Sequence, residues 1–374
     1  MADKNLIDGQ KVSWHPDRVN QWLSGDGKVY PIYVEISPVG SCNHRCTFCA
    51  VDYIGYQNVR LETENLMTRL SEMGSLGVRS VMYAGEGEPL LHKDIAKIIR
   101  HTRENAGIDV AITTNATPIT DRFVEEALPY ITWLKASINA GTPESYAAIH
   151  RSKNPQDFER VWANMTTLAQ GRERLGLERK DHSLGAQMVL LPENAPGAED
   201  FVKRARDTGL DYAVIKPYSQ HKKSLTHKHE GLRYGQFTEL FERLKGFSSD
   251  SFEVVFREKT MAELDKEKQD YSRCPSTPHF WAYIMANGQV YGCSAYLTDD
   301  RFNYGNIRDH SFKAIWEGEK RQKSIDYVAQ HLDITECRVN CRMNAVNNTL
   351  EEIRRSGKSA EMPKGDVPSH VNFI

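Results

Sequence analysis

Seven cysteines fall into two groups along this chain of 374 residues, and that grouping restricts its fold and chemistry more than any other feature. Cys42, Cys46 and Cys49 share one short stretch near the front, whereas Cys274, Cys293, Cys337 and Cys341 lie towards the back. An odd number of thiols in tight groups does not read as a disulfide framework, so metal or cluster ligation is expected. Three thiolates can hold three irons of a cubane and leave the fourth iron open to a small molecule. A structural zinc needs a fourth ligand, and only His44, inside the same loop, lies near enough in sequence to offer one. Four thiolates close a site, as either a four-cysteine zinc or a fully ligated [4Fe–4S] cluster, and spacing alone does not separate the two.

The rest of the chain shows how these groups are carried. Short runs rich in β-branched and aromatic residues alternate with stretches of helical spacing. Strands are expected at 32–36, 80–84, 110–114, 133–138, 186–191 and 212–215, with helices between them. Such alternation predicts βα units in a parallel sheet. Six units are too few for a closed eight-stranded barrel, so the expected fold class is α/β, a partial (β/α)6 TIM barrel. A small C-terminal cysteine-rich extension of β-hairpin and helix follows it. Each front motif directly follows a predicted strand, where sheets of this kind gather their chemistry. The hairpin is expected over 281–291, around the Asn287-Gly288 turn. The expected divisions are an irregular N-terminal segment (1–30), the core (31–220), a connecting region (221–265), the cysteine-rich domain (266–350) and an extended tail (351–374).

The front residues also carry a family resemblance. Cys42-x3-Cys46-x2-Cys49, with Phe48 before the last cysteine, resembles the signature of the radical S-adenosylmethionine superfamily. The resemblance implies that the open iron of a [4Fe–4S] cluster binds S-adenosylmethionine. One electron then cleaves that cofactor to a 5′-deoxyadenosyl radical. Gly87-Glu88-Pro89 after the second strand resembles the family's Gly-Gly-Glu-Pro motif, with Glu86 standing where a glycine is usual. Asn115 lies in a third-strand motif, Ser137 and Asn139 in the fourth-strand Ser-x-Asp segment, and Gln187 in the expected adenine pocket. By the same resemblance all of these touch the cofactor.

The rear set resembles the twitch extension, the shortened form of the SPASM domain, which implies one auxiliary [4Fe–4S] cluster on its four cysteines. With every cysteine engaged, none is left to donate a hydrogen atom to a substrate radical. The expected chemistry is therefore oxidation, of dehydrogenase type, on a sugar, nucleotide sugar or aminocyclitol. The alternatives are a peptide-modifying maturase and, from another class, a non-catalytic iron–sulfur electron carrier. Lys216 and His221, in a basic stretch after the sixth strand, are candidates to hold an anionic handle on the substrate, and His279 is a candidate general base. A flavodoxin or ferredoxin is the expected electron donor.

A formal charge of −2 supplies no field for nucleic acid or an anionic membrane. No run approaches the roughly 18 apolar residues that span a bilayer. The polar opening Met-Ala-Asp-Lys-Asn does not read as a signal peptide, so a cytoplasmic location is expected.

Overall fold

Tyr33-Val34-Glu35-Ile36 and Ser80-Val81-Met82-Tyr83 are buried along their whole length, as strands covered on both faces must be. They are β1 (Tyr33–Ile36) and β2 (Ser80–Tyr83) of a ten-stranded sheet in the computed structural model, which describes residues 6–7, 10–264, 266, 269–338 and 340–374. The sheet continues through β3 (Asp109–Thr114), β4 (Trp133–Ser137), β5 (Ser183–Leu190) and β6 (Tyr212–Pro217), each parallel to the one before. β7 (Glu253–Phe256) adds in parallel beyond β6. On the other side, β8 (Trp281–Ile284) pairs in parallel with β1, then turns back through β9 (Gln289–Tyr291) and β10 (Asn303–Asn306). Among the described residues no pairing joins β7 to β10, so the barrel stays open.

The partial barrel thus carries more strands than the six read from the sequence. β7 and β8 belong to the same sheet, and sequence reading leaves them outside it because both are four-residue runs with irregular connections. Pairing with β1 brings β8 back over more than two hundred residues, a contact no local pattern encodes.

The crossover helices are α2 (Thr63–Ser75), α3 (Ile95–Glu104), α4 (Asp121–Ala127), the pair α5 (Pro143–His150) and α6 (Asp157–Arg174), and α7 (Ala198–Asp207). Amphipathic stripes such as Ile95, Ile98 and Ile99 on α3 bury against the outer face of the sheet. A further helix, α1 (Pro16–Leu23), stands where the sequence reading has only irregular chain. Pro16 starts it, but Val19 is its one buried residue, so its apolar stripe is too narrow to read. α8 (Thr238–Lys245) and α9 (Glu258–Glu263) flank β7, and α10 (Phe312–Trp316), α11 (Glu319–Gln330) and α12 (Asn344–Ser356) pack around the extension.

The tail has no helix or strand after α12, yet it is not loose. His370–Ile374 lie beneath the barrel, where Asn372 Nδ2 donates to Asp109 at 2.7 Å and Lys11 Nζ to the His370 carbonyl at 3.2 Å. Phe373 meets the rings of Tyr33 and Trp133 edge-on. Among the described residues no helix is long and apolar enough to cross a membrane.

Candidate active site between two cysteine sets

The loop after β1 carries Cys42, Cys46 and Cys49, and the loop after β2 is laced onto it. Glu88 N–H donates to the Ser41 carbonyl at 2.9 Å. Gly87 is required at this crossing: a Cβ there would stand 2.1 Å from the Val39 carbonyl oxygen and 2.5 Å from that of Ser41. Glu88 points inward, where its carboxylate accepts from Thr114 Oγ1 (2.5 Å), Asn115 N–H (2.7 Å) and Leu90 N–H (3.1 Å). Asn115 Nδ2 in turn donates to Asn43 Oδ1 at 2.7 Å, tying the third-strand motif to the cysteine loop. Burial outweighs these hydrogen bonds and raises the Glu88 carboxyl to about 7.

Cys46 meets an imidazole that the sequence reading does not single out. Its Sγ lies 3.2 Å from Nδ1 of His150, the last residue of α5. His44, Cys46 and His150 present ligand atoms within 4.8 Å of one another. His44 is held against Asp157 at 3.3 Å, which turns it towards α6. Burial pushes His150 down to about 3, so it stays neutral. A lone histidine in an ordinary helix gives no signal of such a role.

The rear cysteines come from three segments: Cys274 before β8, Cys293 after β9, and Cys337 and Cys341 before α12. Asn347 Nδ2 of α12 donates to Cys274 Sγ at 3.3 Å, and the Thr277 hydroxyl lies 3.0 Å from that sulfur. All seven cysteines are free thiols. Within each set the thiols lie close enough to resist one another's ionisation, and burial together with this crowding pushes Cys46 and Cys293 well above the ordinary range. Sulfurs gathered in this way, unbridged, fit a shared positive centre that would make them thiolates.

A chamber of about 440 Å³ lies inside the barrel between the two sets. Phe48 and Cys49 line its front; Ser294 and Arg338, beside Cys293 and Cys337, line its rear. Ser137, Gln187, Lys216 and His221 also face it. Gln187 Nε2 donates to Ser137 Oγ at 3.4 Å. Asn139 does not reach the chamber. It is fully buried with φ +57°, accepts from Val189 N–H at 2.8 Å and faces His150, so its amide supports the strand ends.

Two candidates change meaning. His221 stacks on Tyr53 with centroids 4.9 Å apart, and its Nδ1 accepts from Lys223 N–H at 3.0 Å. Burial and Arg338 lower it to about 4, so the ring is neutral, and with Nδ1 accepting its proton sits on Nε2. His279 lies outside the chamber, in a separate pocket with Trp22, Cys274 and Val328, because the chain turns back where His279 N–H meets the Ser276 carbonyl. It is not placed to serve as the base. Of the basic stretch, Lys223 spends its ammonium on Leu297 O (3.1 Å) and Thr298 Oγ1 (3.2 Å), strapping the loop to the extension.

The fold and its paired cysteine sets match two described families: the radical SAM superfamily over residues 36–211, and the iron–sulfur cluster-binding SPASM domain over residues 274–342. The chain belongs to the radical S-adenosylmethionine superfamily and carries a C-terminal SPASM-type extension; its cofactors are [4Fe–4S] clusters and S-adenosylmethionine. It is 35% identical over 133 residues to a GTP 3′,8-cyclase of Chlorobaculum tepidum, covering 34% of this chain and 38% of that protein. It is 29% identical over 116 residues to an S-adenosylmethionine-dependent nucleotide dehydratase of Lacinutrix mariniflava, covering 30% and 24%. The matches thus span well under half the length of these curated relatives. Streptococcus suis SuiB bound to S-adenosylmethionine superposes with a TM-score of 0.62 at 18% identity, over 79% of this chain and 68% of that one. Native anSMEcpe with bound AdoMet gives 0.56 at 17%, over 79% and 83%. These two likenesses show the fold.

Proposed function

We propose that this radical S-adenosylmethionine enzyme oxidises a small molecule held in the chamber, in a dehydrogenase-type reaction on a sugar, nucleotide sugar or aminocyclitol. The observation that carries this reading is the chamber itself, which has a three-cysteine site at one wall and the neighbours of a four-cysteine site at the other. When bound, the front cluster and S-adenosylmethionine supply the hydrogen-abstracting 5′-deoxyadenosyl radical, and the rear cluster supplies an acceptor for the second electron.

The chain's own groups do the positioning. Phe48 and Val189 form an apolar flank that keeps water from a radical, while Ser137 and Gln187 offer hydrogen bonds at the strand ends. Oxidation also releases a proton. Glu35, whose carboxylate lines the chamber beside Arg342, is placed to accept it in the role that His279 cannot fill. The curated relatives are named for a reaction of GTP and for dehydration of a nucleotide, which favours a phosphate-bearing small molecule over a peptide.

The test is to reconstitute and reduce the protein and supply S-adenosylmethionine. The reading expects 5′-deoxyadenosine well above a Cys42→Ala control. With the right nucleotide sugar or cyclitol it expects a product two hydrogens lighter. No 5′-deoxyadenosine above that control sinks it, and turnover of peptides alone transfers the chain to peptide modification.

A further inference from the structure

We infer that the waist of the barrel is an anion subsite, in which Lys135, Lys216, Arg257 and Arg342 hold a phosphate or carboxylate group of the substrate. This rests on the reading of the chamber as the substrate site, and it names what the substrate must carry.

A second cavity of about 200 Å³ lies deeper in the barrel, floored by His370, Phe373 and Ile374. The four cations line both this cavity and the chamber, so they ring the passage between them. They come from separate elements: Lys135 from β4, Lys216 from β6, Arg257 from the end of β7, and Arg342 from the turn that carries Cys341. Among the described side chains Glu35 is the one carboxylate lining either cavity, and it is paired with Arg342. Arg342 also donates to the Tyr33 hydroxyl at 3.2 Å, and its side chain is 40% accessible although it points into the molecule, because it faces the cavities.

The lysines are the telling members. Neither Lys135 nor Lys216 has a hydrogen bond or ion pair among the described residues; Lys135 rests over the Trp133 ring at 5.4 Å. An ammonium drawn partly out of water without a partner is costly, and several like charges around one cavity raise that cost. Met82 and Val214 line the same cavity with apolar side chains. An anion with two charges would offset the repulsion and supply the missing acceptors.

The electrostatics agree. Burial, then Arg257 and Arg342, lower Lys216 to about 7, and burial with Lys216 and both arginines holds Lys135 well below the ordinary lysine value. The groups facing Lys216 are Lys135, Arg257, Arg342 and Glu35, with Tyr33, Tyr212, Lys11 and His370 on the deeper cavity and Arg338, His221, Tyr218 and Tyr283 on the chamber. An anion bound there favours the protonated lysine. Binding should therefore take up a proton, and affinity should fall by up to tenfold per pH unit above 7.

Calorimetric titration of the cluster-loaded protein with inorganic pyrophosphate, and separately with succinate, distinguishes the two anion classes. The expected result is saturable binding of at least one, with proton uptake seen as a buffer-dependent heat. Lys135→Met and Lys216→Met should each weaken it tenfold or more, whereas Lys222→Met, an exposed lysine outside the cavities, should not. Lys135→Gln and Lys216→Gln repeat the measurement should a Met variant fail to load clusters. Binding of neither probe, or binding unchanged in both lysine variants, overturns the proposal. So does a parallel loss of S-adenosylmethionine affinity in the lysine variants, because the cations would then serve the cofactor. None of these titrations depends on 5′-deoxyadenosine formation, so failure of the radical reading and failure of the subsite are told apart.

Discussion

At Gly87 the front site depends on the absence of a single carbon. The Gly87-Glu88-Pro89 turn passes so close to the cysteine loop that a methyl group would collide with two backbone carbonyls, and neither can rotate away as a side chain would. Gly87→Ala should cost about 1–3 kcal/mol, as overpacking does, and should also displace the loop that holds Cys42. Gly235 has nothing within 4 Å of a built Cβ, so Gly235→Ala is the matched control. Thermal denaturation should show a clear drop in Tm for the first variant and almost none for the second. Equal shifts would mean that the crossing is less tight than it looks. Residues of this kind are legible in a sequence because each motif is contiguous: Cys42, Cys46 and Cys49 fall in one short run, and Gly87-Glu88-Pro89 in another. His150 and Arg342 are not, since each reaches its partner from a distant element, and Arg342 meets Glu35 across 307 positions.

At the scale of elements, the connection between barrel and extension runs through the residue that departs from the family motif. Glu86 takes the place of a glycine, and its Oε1 accepts from the Ala286 N–H at 2.7 Å, at the turn between β8 and β9. The loop after β2 therefore holds the hairpin that leads to Cys293. Among the described residues Oε2 is buried without a hydrogen-bond partner, and burial raises this carboxyl to about 7. The sign follows from proton linkage: a group that binds its proton more tightly when folded stabilises the fold at low pH. That stability is lost as pH rises from the unfolded value, near 4.5, through 7. The loss at most is on the order of 3 kcal/mol. Glu86→Gln keeps an acceptor for Ala286 and removes the charge, so it should reduce the fall of Tm between pH 5 and 7, leaving the share that Glu88, raised to about 7 as well, contributes. A variant with the same pH profile as the parent would place the titration elsewhere. The hairpin itself is legible from Asn287-Gly288, because the turn chemistry is local and Gly288 adopts φ +89°. Its parallel seat against β1 is not, because strand pairing at that separation depends on how the whole sheet closes.

For the whole molecule, the two cysteine sets draw their ligands from separate segments, although β8 pairs with β1 and Glu86 holds the hairpin. The front set hangs from β1 and leans on β2, β3 and α5. The rear set is assembled from the segment before β8, the end of β9 and the turn before α12, backed by Asn347. Loss of one ligand should therefore empty one site and spare the other. The reconstituted parent should carry about eight irons and eight sulfides per chain, as two [4Fe–4S] clusters do. Cys293→Ala should fall to about four of each and still form 5′-deoxyadenosine from S-adenosylmethionine, because the front ligands and the Glu88 network stay in place. The product two hydrogens lighter should disappear, since the second electron then has no acceptor beside the chamber. Retention of about eight irons would show that Cys293 is not a cluster ligand. Zinc in place of the missing four, in the parent protein, would make the rear site a structural tetrahedron. Undiminished oxidised product from a four-iron variant would mean that the electron leaves by another route, and the chamber's rear wall would then only shape the substrate.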